Sequence, residues 1–209
     1  MQVFRGIPER SDHGCVLSIG NFDGVHRGHQ ALLAKLTAKS RATGLPSAVL
    51  TFEPHPREYF THENRPIRLT SLREKILRIA DQGVDRLYIG RFNARFAALT
   101  AEQFIEDILI RGLCARHLMI GDDFRFGKGR QGDFAMLEAT GSTVGFSAEA
   151  MHTLVHEGER VSSSAVRGAL AEGDMPHAAR LLGRPYSISG RVMHGDKIGR
   201  SIGFPTANI

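Results

Sequence analysis

Short apolar runs alternate with longer amphipathic stretches through the first 120 residues. Cys15–Ile19 is an apolar run ending at Gly20, the signature of a buried strand. A Gly-rich turn follows from Gly20 to Gly28. Leu32, Leu33 and Leu36, with Ala31, Ala34 and Ala38, then form one helical face that stops near Gly44 and Pro46. Ala48–Phe52 is the next strand, cut off by Pro54 and Pro56. Ser71 with Glu74 three residues on is a capping box, predicting a helix with Leu72, Ile76 and Ile79 inward. Val84–Ile89 reads as a strand. Thr100 with Gln103 is a second capping box, with Phe104, Ile108 and Leu109 on one side of its helix. Arg116–Ile120 is another strand, ending again in glycine.

This rhythm predicts an α/β fold, a parallel sheet with helices on both faces. Such sheets bind ligands beyond the carboxyl ends of their strands. Three of the four predicted strand ends carry unusual sequence. Gly20–His29 reads GNFDGVHRGH, Glu53–Pro56 reads EPHP, and Gly121–Gly127 reads GDDFRFG.

Beyond residue 150 the texture changes. Ser162 caps a helix containing Arg167, and Asp174 caps another that ends at Leu182-Gly183. From Arg184 the chain becomes Gly-rich and β-like. A boundary is expected near Gly183, giving a first domain over 1–183 and a 184–209 segment too short for its own core.

Composition narrows the picture modestly. Apolar residues are 42% and charged residues 23% of 209, ordinary for a globular chain. Cys15 and Cys114 form no CxxC, which disfavours a disulfide framework or a cysteine zinc site. No 18-residue apolar window predicts a membrane span, and the N-terminus lacks a signal peptide's apolar core, so the cytoplasm is expected. Net charge is +5, which suits an anionic partner such as a nucleotide, and no basic arm points to nucleic acid.

The sharpest chemistry is in Gly20–His29. His26 and His29, three apart at a helix start, can place both imidazoles on one side of the first turn. Helix N-terminal N–H groups plus two imidazole donors make a polyphosphate site. Gly20 and Gly24 permit close backbone approach. The plain alternative is a capped helix with two surface histidines, which leaves the preceding GNFDG unexplained. Ser162, Ser163 and Ser164 with Arg167 form a second, weaker anion clamp, which ordinary capping would also produce. Gly121–Gly127 could hold a purine or ribose, and 127–132 is expected to be a mobile loop over the site. Asp81, Asp85, Glu106 and Asp107 read as solvated charges, Cys114 as a core thiol, and His152, His156 and His177 as surface or packing residues. These residues alone lead to a nucleotide-phosphate site on a helix N-terminus. They leave open an enzyme that passes a nucleotidyl group to a phosphorylated acceptor, or a non-catalytic nucleotide- or RNA-binding module.

Five motifs together, residues 20–29, 51–56, 121–127, 162–167 and 199–208 (GRSIGFPTAN), resemble the bacterial bifunctional riboflavin kinase/FMN adenylyltransferase family, also called FAD synthetase. The resemblance implies a Rossmann-like nucleotidyltransferase domain followed by the opening of a β-rich riboflavin kinase barrel. It implies FAD synthesis from FMN and ATP with magnesium and release of pyrophosphate. His26, His29 and Arg167 would be catalytic. Gly20, Asn21, Phe22, Gly24, Gly121, Asp123, Ser162, Ser163 and Ser164 would hold ATP. Phe52, Pro54, His55, Pro56 and Phe126 would lie on the flavin side. Ser164 stands where the family commonly has threonine, with the hydroxyl kept. Thr206 and Asn208 match the family's magnesium–ATP residues of the kinase, whose catalytic carboxylate would lie further on. Riboflavin phosphorylation is therefore expected only of a full-length parent.

Overall fold

The computed structural model describes residues 1–61, 65–152, 154–156, 158–193 and 202–204. Six strands form one parallel sheet: β1 (Gln2–Arg5), β2 (Cys15–Ile19), β3 (Ser47–Glu53), β4 (Arg86–Arg91), β5 (Ala115–Gly121) and β6 (Ser147–Met151), in the order β1-β4-β3-β2-β5-β6. The chain moves outward from β2 through β3 to β4, then crosses to β5 on the other side of β2. The crevice between the ends of β2 and β5 is thus the topological switch point, where open α/β sheets place ligands.

Both faces of the sheet are covered, as expected. Helix α1 (Arg27–Thr43) buries Leu32, Leu33 and Leu36 against Val16, Val49, Leu87 and Met119. It ends at Gly44, whose left-handed φ of 69° is the usual glycine C-cap. A short helix α2 (Pro56–Phe60) follows β3, and α3 (Leu72–Ala80) joins the α1 face through Ile79. The Ser71/Glu74 capping box forms in both directions.

The opposite face carries α4 (Ala94–Ala97), α5 (Ala101–Gln103) and a π-wound continuation over Phe104–Gly112. This winding changes the expected face. Phe104, Ile105 and Leu109 are buried and Ile108 is only partly so, because a wider turn brings residues five apart into line. Helix α6 (Phe134–Val144) adds Leu137 beside Leu17, Ile19 and Leu118. β7 (Val155–His156) and β8 (Glu159–Arg160) form a small antiparallel pair. Helices α7 (Ser163–Ala171) and α8 (Met175–Leu182) build a third cluster of Val161, Val166, Leu181 and Leu182 with Leu69.

Three local expectations change. Asp85 is not a solvated charge: its carboxylate accepts the Ser47 amide at 2.8 Å and hydroxyl at 2.7 Å, while Ser47 Oγ accepts the Asp85 amide at 3.0 Å. This clip aligns the starts of β3 and β4. The 127–132 segment is not a free flap. Phe126 and Gly132 close it as an antiparallel bridge, and the Lys128 amide donates to the Leu99 carbonyl at 2.7 Å. Residues 184–192, expected to be β-like, form neither helix nor strand.

Candidate active site

The loops after β2, β3, β4 and β5 and the start of α7 enclose a cavity of about 810 Å³, within the range of small-molecule sites. Gly20, Asn21, Phe22, His26, His29, Phe52, His55, Pro56, Gly121, Asp123, Phe126, Ser162, Ser163, Ser164 and Arg167 all line it. Two expected residues do not. Gly24 is buried beneath the loop, where a Cβ would lie 2.8 Å from Leu69 Cδ1, so it serves packing and a φ of +81°. Pro54 faces a side cleft with Glu58, Tyr59 and Phe60. Thr206 and Asn208 lie outside the described residues.

The histidine pair is built by the helix it begins. His26 is the N-cap of α1, and its Nδ1 accepts the His29 amide at 3.4 Å. A neutral ring that accepts at Nδ1 carries its proton on Nε2, leaving that N–H as a donor. The two rings stack with centroids 3.7 Å apart. Burial pushes the His26 imidazole down to about 4, only partly offset by the nearby Asp23, with the Arg167 and Arg184 charges acting in the same direction as burial. Burial, then coupling to the His26 ring and the Lys75 charge, pushes His29 well below its usual range. Both rings are neutral donors at pH 7. The His29 Nδ1 is buried with no protein partner among the described residues. The loop leading to them is contorted: Phe22 has a φ of 50° and Val25 a φ of 41°. For a β-branched residue this costs about 1–3 kcal/mol and persists only when surrounding contacts enforce it.

Asp23 organises the floor of the site. Its carboxylate, almost fully buried, accepts the Leu69 amide at 3.0 Å, the Thr70 amide at 3.1 Å and the Thr70 hydroxyl at 3.2 Å. It also pairs with the Arg167 guanidinium. Arg167 Nε donates to the Ile67 carbonyl at 2.6 Å. Much of Arg167 is thus committed to holding the loop, and its charge acts at the cavity from that fixed position. The serines divide similarly. Ser162 Oγ caps α7 by accepting the Ala165 amide at 3.1 Å, and Ser163 Oγ donates to the Asp23 carbonyl at 3.0 Å. Ser164 is exposed and lines the cavity. At the rim, Asp123 pairs with Arg160 at 2.7 Å.

Two features had no sequence signal. Lys75 on α3, at the position between Leu72 and Ile79, is 4% exposed, and burial lowers its pKa despite the Asp23 and Glu53 charges nearby. The second is an aromatic wall. Phe52 meets Phe96 at 5.1 Å and Phe92 at 5.9 Å, Phe96 meets Phe104 at 6.1 Å, and Phe104 meets Phe126 at 5.1 Å. With Phe60 and Phe124 these rings line the same cavity as Ser162–Arg167. They come from five segments that only the fold assembles. His55 sits beside Phe60 as the N-cap of α2, its Nδ1 accepting the Arg57 amide at 3.0 Å, and burial lowers its pKa. Among the described residues no group of three or more His, Cys, Asp or Glu is arranged to hold a metal.

Comparison with known proteins matches this arrangement to a family. Residues 8–165 match the FAD synthetase family model, and residues 182–209 match the riboflavin kinase model. The bifunctional riboflavin kinase/FMN adenylyltransferase of Escherichia coli K12 is 52% identical over 212 residues, covering 100% of this chain and 68% of the relative. A structure titled macrolide-efflux protein from Streptococcus pneumoniae superposes with a TM-score of 0.83 at 28% identity, covering 100% of this chain and 68% of that one. A pantoate-β-alanine ligase from Francisella tularensis shares the fold alone, with a TM-score of 0.51 at 11% identity over 86% of this chain and 78% of that one. A glycine-rich loop with paired histidines at the switch point of a parallel sheet, and a family match across most of that sheet, lead to one conclusion: the chain belongs to the FAD synthetase family.

Proposed function

We propose that this chain transfers the AMP group of ATP to FMN, forming FAD and releasing pyrophosphate. The observation that carries the reading is one cavity lined by two different groups: neutral histidine donors on a helix N-terminus, and a wall of aromatic rings. A triphosphate fits the first. A broad planar ring fits the second, and an acceptor without such a ring would leave the wall unused.

An FMN phosphate oxygen attacks the α-phosphorus of ATP, the new P–O bond forms, and the bond to the β-phosphate bridging oxygen breaks. The protein supplies position and charge compensation. His26 Nε2–H, His29, the first turn of α1, the Ser164 hydroxyl and the fixed Arg167 charge receive the charge that develops on the α-phosphate and the leaving pyrophosphate. Magnesium enters with ATP as part of the substrate. Gly121 and Asp123 are assigned to the adenosine, and Phe52, His55, Pro56 and Phe126 to the flavin side.

We read 1–183 as the adenylyltransferase unit, 184–209 as the opening of the riboflavin kinase part, and the cytoplasm as the compartment. No helix among the described residues is long and apolar enough to cross a membrane. The test uses ATP labelled at the α-phosphate. With FMN, label is expected in FAD and unlabelled pyrophosphate is released. Label confined to unreacted ATP, or flavin labelled only from γ-labelled ATP, refutes the reading.

A further inference from the structure

Two carbonyl-rich edges face each other behind the histidine loop. One is the contorted loop, with the Gly24 and Val25 carbonyls. The other is the C-terminus of α8, with the Arg180 and Leu182 carbonyls. Edges of this kind repel unless donors lie between them. Three side chains fill that role. Arg27 Nε donates to the Arg180 carbonyl at 2.7 Å. Gln30 Nε2 donates to the Val25 and Leu182 carbonyls, both at 2.8 Å. Arg184 reaches furthest: Nη2 donates to the Gly24 carbonyl at 2.7 Å, and Nη1 to Leu182 and Val25 at 3.3 and 3.4 Å.

The Glu74 and Asp81 carboxylates act on Arg184 through charge, and its hydrogen bonds go to these carbonyls. It arrives there because Gly183, with a φ of 71°, turns the chain back after α8. A side chain at 183 would be strained in that conformation and would crowd Gln30 and Arg27. The carbonyls it holds flank the left-handed Val25, and the next residue is His26. Arg184 and its Leu182 anchor lie in the segment matched by the riboflavin kinase model, beyond the 8–165 matched by FAD synthetase.

We propose that Arg184 is a positioning residue for the nucleotide site, clamping the Gly24–Val25 carbonyls so that the strained loop presents His26 to the triphosphate. The first residues of the kinase-matched segment thereby complete the phosphate grip of the preceding unit. This rests on the nucleotide reading of the cavity.

Calorimetric titrations of the whole chain, with magnesium and ATP and separately with FMN, test it. Arg184→Met removes every donor, Arg184→Gln keeps a short neutral donor, and Arg184→Lys keeps the charge with poorer geometry. In Arg184→Met the ATP Kd is expected to rise about tenfold or more. FMN affinity should stay within twofold, and Arg184→Lys should recover part of the loss. Amide exchange of Gly24–His29 should accelerate while that of β2 does not change. If Arg184→Met fails to fold, Arg184→Gln carries the same comparison. An ATP Kd within about twofold of wild type in a folded variant overturns the proposal. So does an equal loss for ATP and FMN with exchange accelerated throughout, which marks a purely structural role. A wild-type chain that binds no ATP refutes the underlying nucleotide reading instead.

Discussion

Replacing His26 with asparagine separates two jobs that the histidine performs. Asparagine is a good N-cap, so the start of α1 should survive. What disappears is a buried ring whose pKa falls from 6.5 to about 4, chiefly through burial. Above pH 6.5 the folded and unfolded chains both hold this ring neutral, and it contributes nothing to the pH dependence. Below 6.5 the unfolded chain takes up a proton that the folded chain refuses until about pH 4. Stability is therefore lost as pH falls through that window. Between pH 7.5 and 4.5 linkage puts the loss due to His26 at about 2.5 kcal/mol. Urea unfolding followed by circular dichroism at both pH values, in wild type and His26→Asn, gives the difference. His29, His55 and His117 are also depressed and are common to both proteins. The wild type should lose about 2.5 kcal/mol more than the variant on acidification. Equal losses would mean that the ring is not buried neutral at the helix start.

Asp23→Asn leaves the Arg167 guanidinium largely buried without its carboxylate. It should cost about 3–5 kcal/mol, read as a lowered melting temperature, and weaken ATP binding as the loop loosens. An unchanged melting temperature would show that the pair is not what holds the floor. Phe96→Ala removes the ring bridging Phe52 and Phe104. The FMN KM should rise about tenfold and the ATP KM should hold within about twofold. Parallel rises in both would argue against an aromatic wall reserved for the flavin.

The skeleton was readable because its signals are local. The apolar run at Cys15–Ile19, the capping boxes at Ser71 and Thr100, and Gly44 and Gly183 as helix stops each depend on neighbours in sequence. β1 and β6 gave no such signal. Gln2–Arg5 is an exposed edge, and Ser147–Met151 is only half covered, so neither carries an apolar run. In the site, the paired histidines were visible because three-residue spacing at a helix start fixes their side. The aromatic wall was not, because Phe60, Phe92, Phe96 and Phe104 meet only once strands β3 and β4 lie side by side. Arg167 shows the limit from the other direction. Its motif marked it as an anion clamp, and only the folded chain reveals that Asp23 already holds it.

The most direct test is the turnover of His29→Ala with ATP and FMN, followed by pyrophosphate release, in protein whose circular dichroism matches wild type. If the stacked rings grip the triphosphate as it reacts, the rate falls about 100- to 1000-fold. A folded variant that turns over within a few-fold of wild type would contradict the account.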